Sequence, residues 1–390
     1  MRAIKPLFWI FIVCLNISLM ILVSEFAYRG YNKASELLTS QIYWAKKWKL
    51  DKDSRLALLQ NLQEKGLLDW SHPLLGSTNP SVDLSRTHFG SYHEMLSHLA
   101  RRSPKEFVKY RSIKTNRAGE TIFDVNYTVD KQYRRKTVHP RKQHSRRLLL
   151  SGCSYTFGVG LEDHETFASN LASMMPDTEV VNLGLGGGSI ARDLTWIKNY
   201  PERAQLSKDL PTTAVSVIIP THLERIGCGV FCLKSWNRHF ALGPRFVLEE
   251  GQLTSPGAFK DFFPWSSKIN FWSFFSILEL LPQVPRIPSE SMEDLVVALY
   301  VEYKKQLQSK MNLAEFIVLN ADEPSSKFGT IPLKLREKGI IFIDIGFEEI
   351  SVLLGEKGRI PIDRHPSPAG AYAMAWMMKE SLEETLARKR

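Results

Sequence analysis

The sequence has few cysteines and no histidine–cysteine spacing typical of a zinc site. Its 390 residues include four cysteines, Cys14, Cys153, Cys228 and Cys232, which are too few for a disulfide-rich scaffold. Cys228 and Cys232 either pair in an oxidising compartment or are small buried apolar residues. Internal repeats are also absent. We therefore expect no structural metal, and nothing in the chain calls for a cofactor.

The chain also lacks an extreme composition. Apolar residues make up 44% and charged residues 24%, which is ordinary for a chain with a sizeable core. The length allows one large domain or two modest ones. A net charge of +10 suits an anionic membrane surface or polymer, but does not by itself imply a nucleic acid partner, and we expect none.

One uncharged apolar run stands out near the N-terminus. It extends from Pro6 to Ser24, close to the ~20 residues that a membrane-spanning helix needs. A cleaved signal peptide would begin in the same way, but no small-x-small cleavage site follows. We therefore predict a signal anchor over residues 1–33. The flanking basic residues weakly favour a cytoplasmic N-terminus, which would place the rest of the chain outside the cytoplasm.

Residues 34–145 read as a lead-in without recognisable chemistry. Loosely spaced apolar residues predict that 34–115 is mostly helical. Alternating apolar and polar residues from Phe123 to Val129 predict a half-buried strand. A basic stretch, Arg134 to Arg147, holds seven Lys or Arg and no acid. It is either a solvated, flexible connection or a surface for lipid headgroups or an anionic glycan.

From residue 146 to the C-terminus, strand and helix patterns alternate. Apolar runs fall at Leu148–Leu150, Val180–Leu183, Ala214–Ile219, Phe316–Leu319 and Ile340–Ile345. Helical patterns separate most of them, which predicts βαβ units and a parallel sheet. An insertion is predicted at about 226–312. It contains a Glu250-Gly251 turn after an apolar run and an aromatic cluster over 262–275, interpreted as core or lid packing or as a sugar platform.

The most informative stretch runs from Arg146 to Gly160. A short apolar strand ends in small residues, Ser151-Gly152-Cys153-Ser154, and a helical pattern follows. Strand, tight turn and helix is the arrangement that exposes a nucleophile at the carboxyl edge of a sheet. Ser154 is accordingly a candidate nucleophile, with capping of the following helix as the alternative.

Three other segments follow predicted strands, where open α/β sheets place their sites. The glycine-rich Asn182–Ser189 could supply backbone N–H groups, but it lacks the features of a dinucleotide fingerprint. Pro220–Arg225 offers side-chain donors or satisfies loop carbonyls. In Asp363–Gly370, an aspartate next to a histidine could orient its imidazole, or the segment is a surface loop.

Together these segments resemble the blocks of SGNH/GDSL-type serine hydrolases, especially a membrane-anchored bacterial branch. The similar segments are Gly152–Gly158 with Gly160–Phe167, Asn182-x-Gly184-x-x-Gly187, and Asp363-x-His365-Pro366-Ser367-Pro368-x-Gly370. The resemblance covers about residues 146–388. It implies a flavodoxin-like three-layer α/β/α sandwich with a five-stranded parallel sheet, preceded by the membrane helix and the mostly helical lead-in.

The resemblance also implies roles for individual residues. Ser154, Asp363 and His365 would form a catalytic triad. The backbone N–H groups of Ser154 and Gly187 would form an oxyanion hole, and Gly184 would lie in the same substrate-binding loop. It further implies location in a bacterial inner membrane, with the catalytic domain in the periplasm.

The chain departs from the family pattern at three places. Cys153 stands where the family usually has Asp. The third block lacks the usual oxyanion Asn, and Thr221 and His222 are the candidates to replace it. The last block has Asp-x-His instead of the commoner Asp-x-x-His, a shorter spacing found in relatives that acylate extracellular polysaccharides.

Three hypotheses follow from these observations. The first is an O-acyl esterase or acyltransferase that acts on an extracytoplasmic glycan or lipid-linked substrate. The second is a non-catalytic binding or assembly protein on a degraded hydrolase fold. The third makes the thiol of Cys153 the nucleophile.

Overall fold

The fold was analysed in a computed structural model of the chain. It describes residues 52–65, 67, 107–116, 119–130, 132, 134–227, 244–258, 290–322, 325–345, 347–361 and 363–387. The predicted anchor, three of the four cysteines and the aromatic cluster at 262–275 lie outside these residues. Within the described ranges, no helix is both long and apolar enough to cross a membrane.

A five-stranded parallel sheet forms the centre of the fold. Its strands are β3 (Arg146–Ser151), β4 (Thr178–Asn182), β5 (Thr212–Ile218), β8 (Leu313–Asn320) and β9 (Ile341–Asp344), in the order β4-β3-β5-β8-β9. All four pairings are parallel. The five predicted strands and their parallel sheet are thus confirmed, and the order is that of flavodoxin-like folds.

Helices cover both faces of this sheet. They are α1 (Lys52–Glu64), α2 (Ser154–Phe157), α3 (Phe167–Met174), α4 (Ile190–Asn199), α5 (Thr221–Gly227), α6 (Glu290–Lys310), α7 (Ile331–Glu337), α8 (Phe347–Leu354) and α9 (Pro368–Ala387). Apolar residues of β3 alternate between the two faces. Leu148 and Leu150 pack with α1, α3, α8 and α9, whereas Leu149 packs with α4, α5, α6 and α7. This arrangement is the predicted three-layer sandwich.

The predicted insertion over 226–312 is too long, because its last part is the helix α6 of the sandwich. This helix begins at Glu290 and crosses from β5 to β8, and its Tyr300 and Tyr303 are buried against the sheet. It is therefore an integral layer of the sandwich. Before it lies an antiparallel hairpin, β6 (Pro244–Glu249) and β7 (Gln252–Ala258), whose turn contains the predicted Glu250 and Gly251, both at positive φ.

A second antiparallel hairpin precedes the sandwich. It consists of β1 (Phe107–Thr115) and β2 (Thr121–Asp130). The alternating pattern predicted β2, but its partner β1 lies in the range expected to be mostly helical. Arg135 forms a bridge both with Val129 of β2 and with Asn182 at the end of β4, so the hairpin connects to the edge of the parallel sheet.

The basic stretch after this hairpin is bound to the fold by its arginines. Arg135 is buried, lies over the rings of Tyr127 and Phe157, and pairs with Asp163 at 3.0 Å. Arg147 pairs with Glu179 at 2.6 Å. Other arginines of the stretch form ion pairs or hydrogen bonds with Asp130, Asp177 and Thr178. These contacts contradict the interpretation of the stretch as a flexible connection.

Candidate active site

The turn after β3 holds Ser154 at the carboxyl edge of the sheet. β3 lies between β4 and β5, so this edge is the point where the strand order reverses and where open α/β sheets bind ligands. Gly152 has φ +140°, and a Cβ there would lie 2.7 Å from Thr156 Oγ1 and 2.8 Å from the Val217 carbonyl oxygen. Only glycine fits this turn without displacement of its neighbours.

A serine, a histidine and an aspartate meet at this edge. His365 Nε2 lies 2.7 Å from Ser154 Oγ, and His365 Nδ1 is hydrogen-bonded to Asp363 Oδ1. The backbone N–H of His365 also donates to Asp363 Oδ1, at 3.3 Å. Because the carboxylate holds the proton on Nδ1, Nε2 can accept the proton of the serine hydroxyl.

The short Asp-x-His spacing depends on the conformation of Arg364. This residue has φ +65°, the left-handed region that non-glycine residues seldom adopt. Its N–H donates to the Ile360 carbonyl at 2.9 Å, and its own carbonyl accepts from Arg359 Nη1 at 2.8 Å. These bonds stabilise a tight turn that brings the side chains on either side of Arg364 into contact.

Asp363 also contacts a residue from outside the sandwich. Its Oδ2 pairs with Nζ of Lys114, on β1, and the aspartate side chain is fully buried. Burial opposes its ionisation, but His365 and Lys114 outweigh that cost and hold the pKa of Asp363 well below its usual range. Asp363 therefore remains a carboxylate at neutral pH. Sequence reasoning missed Lys114.

The glycine-rich loop after β4 packs directly on the nucleophile turn. Leu185 N–H donates to the Gly152 carbonyl at 2.9 Å, and a Cβ on Gly188 would lie 2.5 Å from the same oxygen. Gly187 has φ +66°, and its N–H forms no hydrogen bond with the described residues. Gly184 donates its N–H to Asn182 Oδ1 at 2.8 Å, so that N–H group is already used.

Two arginines hold the carbonyl groups of this loop. Arg192 Nη1 donates to the Gly187 carbonyl at 3.2 Å, and Arg225 Nη1 donates to the Gly188 carbonyl at 2.7 Å. Arg192 lies on α4 and Arg225 on α5. The loop conformation is thus stabilised from two helices of the same sheet face.

Thr221 and His222, the candidate oxyanion donors, lie at the start of α5. His222 is 1% exposed. Neither the Thr221 hydroxyl nor either ring nitrogen of His222 forms a hydrogen bond within the described part of the chain. Burial, and then the nearby Arg225, lower the pKa of His222 well below its ordinary value. The ring is therefore neutral, and the structure does not bring it to Ser154 by a hydrogen bond.

Cys153 is part of the hydrophobic core. It is fully buried, packed in the cluster that includes Leu150 and Phe167. Burial raises the pKa of its thiol, which disfavours the thiolate that a nucleophile needs. The structure therefore gives no support to the thiol hypothesis and leaves Ser154, which is hydrogen-bonded to His365, as the candidate nucleophile.

A second polar cluster flanks the histidine. The ring of Tyr155 lies edge-on to His365, with centroids 5.7 Å apart. Arg359 donates to the Tyr155 hydroxyl at 2.8 Å and pairs with Asp322 at 2.6 Å. Burial and the nearby Asp322 raise the pKa of Tyr155, so it is a neutral phenol. This cluster links the loop before α9 to the helix that carries Ser154.

The structure brings Ser154, His365 and Asp363 into one hydrogen-bonded chain and places the Gly187 loop beside it. Among the described residues, no group of three or more His, Cys, Asp or Glu is placed so that it could hold a metal ion. The arrangement can activate a hydroxyl by proton transfer to an imidazole. That chemistry needs only the side chains and N–H groups present.

Comparison with known proteins found no matching family profile and no matching curated protein. Similar solved structures include a lipolytic G-D-S-L family member from Veillonella parvula, at 12% identity and TM-score 0.32, covering 60% of this chain and 97% of that one. A carbohydrate esterase with divergent catalytic and non-catalytic binding functions shows 15% identity and TM-score 0.37, over 71% and 83% of the two chains. An acetylxylan esterase mutant from Geobacillus stearothermophilus shows 15% identity and TM-score 0.32, over 61% and 94%. None of these similarities is high enough to assign an activity to this chain.

Proposed function

We propose that the protein is a serine-dependent O-acyl esterase or acyltransferase. The observation that carries the proposal is the hydrogen-bonded chain from Ser154 Oγ through His365 to Asp363, with 2.7 Å between Oγ and Nε2. A serine and an imidazole at this distance, with the imidazole oriented by a buried carboxylate, form the arrangement used for acyl transfer.

The first half-reaction transfers the acyl group to the enzyme. His365 Nε2 takes the hydroxyl proton as Ser154 Oγ attacks the ester carbonyl carbon. The tetrahedral intermediate then breaks its bond to the alkoxide leaving group, which receives that proton from His365. In the second half-reaction, water or a sugar hydroxyl attacks the acyl-serine, with His365 again accepting and returning one proton.

The negative oxygen of the intermediate needs donors next to Ser154. The backbone N–H groups of Ser154 and Gly187 form no hydrogen bonds with described residues, so both are available to it. Arg192 and Arg225 donate hydrogen bonds to the carbonyl groups of Gly187 and Gly188 and thereby stabilise the loop that carries the Gly187 N–H. The loss of one donor from such a site costs roughly 3 kcal/mol of transition-state stabilisation.

The substrate class is the finer part of the proposal. The apolar run from Pro6 to Ser24 supports a membrane anchor and an extracytoplasmic catalytic domain in a bacterial inner membrane. An acylated or acyl-accepting glycan, or a lipid-linked substrate, suits a site held near a membrane. The resemblance to the membrane-anchored branch of the SGNH/GDSL-type hydrolases supports the same choice.

One observation favours a second candidate function. Neither the Thr221 hydroxyl nor a ring nitrogen of His222 forms a hydrogen bond with Ser154, so no third-block side chain within the described residues is hydrogen-bonded to the nucleophile. A protein that binds acylated glycans without turnover would need no such donor. The two candidates differ in one measurable property, the reactivity of Ser154.

The test is covalent labelling of the full chain with a fluorophosphonate, followed by peptide mapping. We expect the label on Ser154, its loss in Ser154→Ala, and full labelling in the matched control Ser145→Ala, which alters an exposed serine outside the site. Hydrolysis of short acyl esters should follow the same pattern. A wild-type chain that is folded but unlabelled at Ser154 would reject the enzyme and support the binding protein.

A further inference from the structure

The catalytic carboxylate has two partners, and only one of them belongs to the triad. Oδ1 of Asp363 bonds to the imidazole and the N–H of His365. Oδ2 pairs with the ammonium group of Lys114. The lysine side chain is 10% exposed and the aspartate side chain is fully buried, so this pair is shielded from water and from salt.

Lys114 reaches the site because β1 turns one face toward it. Along β1, Lys109 and Arg111 are exposed, whereas Ser112 and Lys114 are buried. Arg111 pairs across the hairpin with Asp124, on the exposed side. The pairing register shifts between Lys114 and Thr115, where the strand becomes irregular. Lys114 thus lies on the buried face of β1, whereas Lys109 and Arg111 lie on the exposed face.

The hairpin that carries Lys114 is fastened to the segment following the nucleophile helix. Tyr127 Oη accepts from Gly160 N–H at 2.8 Å. The N–H of Asn126 donates to Glu162 Oε1 at 3.0 Å, and that of Thr128 donates to Asp163 Oδ1 at 3.1 Å. These three contacts join β2 to residues 160–163 and fix the position of β1 relative to the triad.

On the basis of the function proposed above, we propose that Lys114 is a positioning residue of the triad and that the β1–β2 hairpin is part of the active site. The ammonium group holds Oδ2, so that the carboxylate plane presents Oδ1 to the imidazole. Without it, the carboxylate would keep a single partner, free to rotate about its terminal bond.

The charge of Lys114 also affects how stable His365 is once it has taken the proton of Ser154. A cation next to Asp363 offsets part of the negative charge that stabilises a protonated His365. Lys114 therefore limits how firmly the imidazole retains the proton taken from the serine. The other charged or titratable groups around the pair are Tyr127, Tyr155, Asp322, Arg359 and Arg364. Burial and, to a smaller degree, the charge of Asp363 raise the pKa of Tyr127.

The experiment follows the ring nitrogens of His365 by NMR as the pH is varied, in full chains carrying labelled histidine. His365→Gln identifies the signal. Three variants are compared with the wild type: Lys114→Met removes the charge, Lys114→Arg keeps it, and Lys109→Met is the matched control on the exposed face. Fluorophosphonate labelling of Ser154 is measured on the same samples across the same pH range.

We expect the titration midpoint of His365 to be higher in Lys114→Met than in the wild type, because the variant lacks the cation that offsets the charge of Asp363. It should stay at the wild-type value in Lys114→Arg and Lys109→Met. The labelling rate near neutral pH should fall roughly 10- to 100-fold in Lys114→Met alone. If that variant fails to fold, Lys114→Gln, which is uncharged but keeps a donor, should show the same upward shift.

An unchanged or lowered midpoint in Lys114→Met would overturn the inference, even if labelling were slower, since a purely structural role predicts slower labelling at every pH. The ring titration does not depend on turnover. If Ser154 of the wild type is unlabelled but Lys114→Met still raises the His365 midpoint, the proposed function is rejected and the role of Lys114 stands.

Discussion

The turn that carries Ser154 and the hairpin that carries Lys114 both contact the Asp363–His365 pair, but they differ in how far their key residues are separated in sequence. The turn is local, since strand β3, Gly152 and Ser154 lie within a few residues of one another. The hairpin is distant, since Lys114 and Asp363 are separated by 249 positions. The comparison teaches that the reacting groups are specified by short sequence patterns, while their electrostatic surroundings are specified by tertiary packing.

The largest loss of activity should come from substitution of Asp363, which contacts Lys114 directly and Ser154 through His365. Asp363→Asn is expected to lower the rate of Ser154 labelling by roughly 10³- to 10⁴-fold, because an amide no longer fixes the imidazole tautomer. The measurement is the second-order labelling rate with a fluorophosphonate. Asp322→Asn is the matched control, since Asp322 contacts Tyr155 and Arg359 but not His365. Equal losses in the two variants would remove the special role of Asp363.

The difference between the two regions explains what the sequence could and could not predict. Apolar runs ending in small or polar residues predicted all five parallel strands and placed Ser154, Asp363 and His365 at strand or helix ends, where topology brings them together. The Arg364 conformation that makes Asp-x-His work has no signal in residue identity, because arginine does not favour positive φ.

Lys114 could not be predicted for a different reason. It shares its strand with Lys109 and Arg111, and all three look alike in a basic, polar segment. Alternation along β1 places Lys114 with Ser112 on the buried face and Lys109 with Arg111 on the exposed face. Which face is buried depends on the register of the hairpin, and therefore on the turn and the partner strand. The alternating pattern of β2 was the available signal, since a half-buried strand requires a partner.

The two regions also differ in how crowded the glycine of each turn is, Gly152 in one and Gly119 in the other. Gly152→Ala should lower the free energy of unfolding by roughly 3–5 kcal/mol, because its Cβ would meet Thr156 Oγ1 and the Val217 carbonyl at a backbone angle unsuited to alanine. Gly119, in the hairpin turn, also has positive φ but nothing within 4 Å of its Cβ position. Gly119→Ala should cost only about 1 kcal/mol. Urea unfolding measures both, and equal costs would show that crowding at Gly152 is unimportant.

The ion pair between Lys114 and Asp363 should make the free energy of unfolding depend on pH. Lys114→Met should lower the free energy of unfolding by about 2–3 kcal/mol at pH 7, because a buried carboxylate loses its counter-ion. The folded-state pKa of Asp363 is depressed. Its stabilisation is therefore present above the unfolded carboxyl range near pH 4 and is lost as the pH falls toward the folded-state value.

The wild type and Lys114→Met should consequently converge in stability as the pH is lowered from 7 to 3. Chemical unfolding at several pH values measures the gap, with Lys109→Met as the control that stays close to the wild type throughout. A gap that is constant with pH would mean that Lys114 contributes packing of its aliphatic stem and no electrostatic stabilisation.

The smallest effect is expected in the exposed part of the basic stretch that follows the hairpin. Arg141 pairs with Asp177 at 2.8 Å, but both side chains are more than half exposed, at 61% and 65%. Arg141→Ala should change the free energy of unfolding by less than about 0.5 kcal/mol. Arg135→Met, six residues earlier, removes a buried guanidinium from Asp163 and should cost at least about 2 kcal/mol. Similar values for the two arginines would show that burial does not separate their contributions, and that the basic stretch contributes to stability through its total charge.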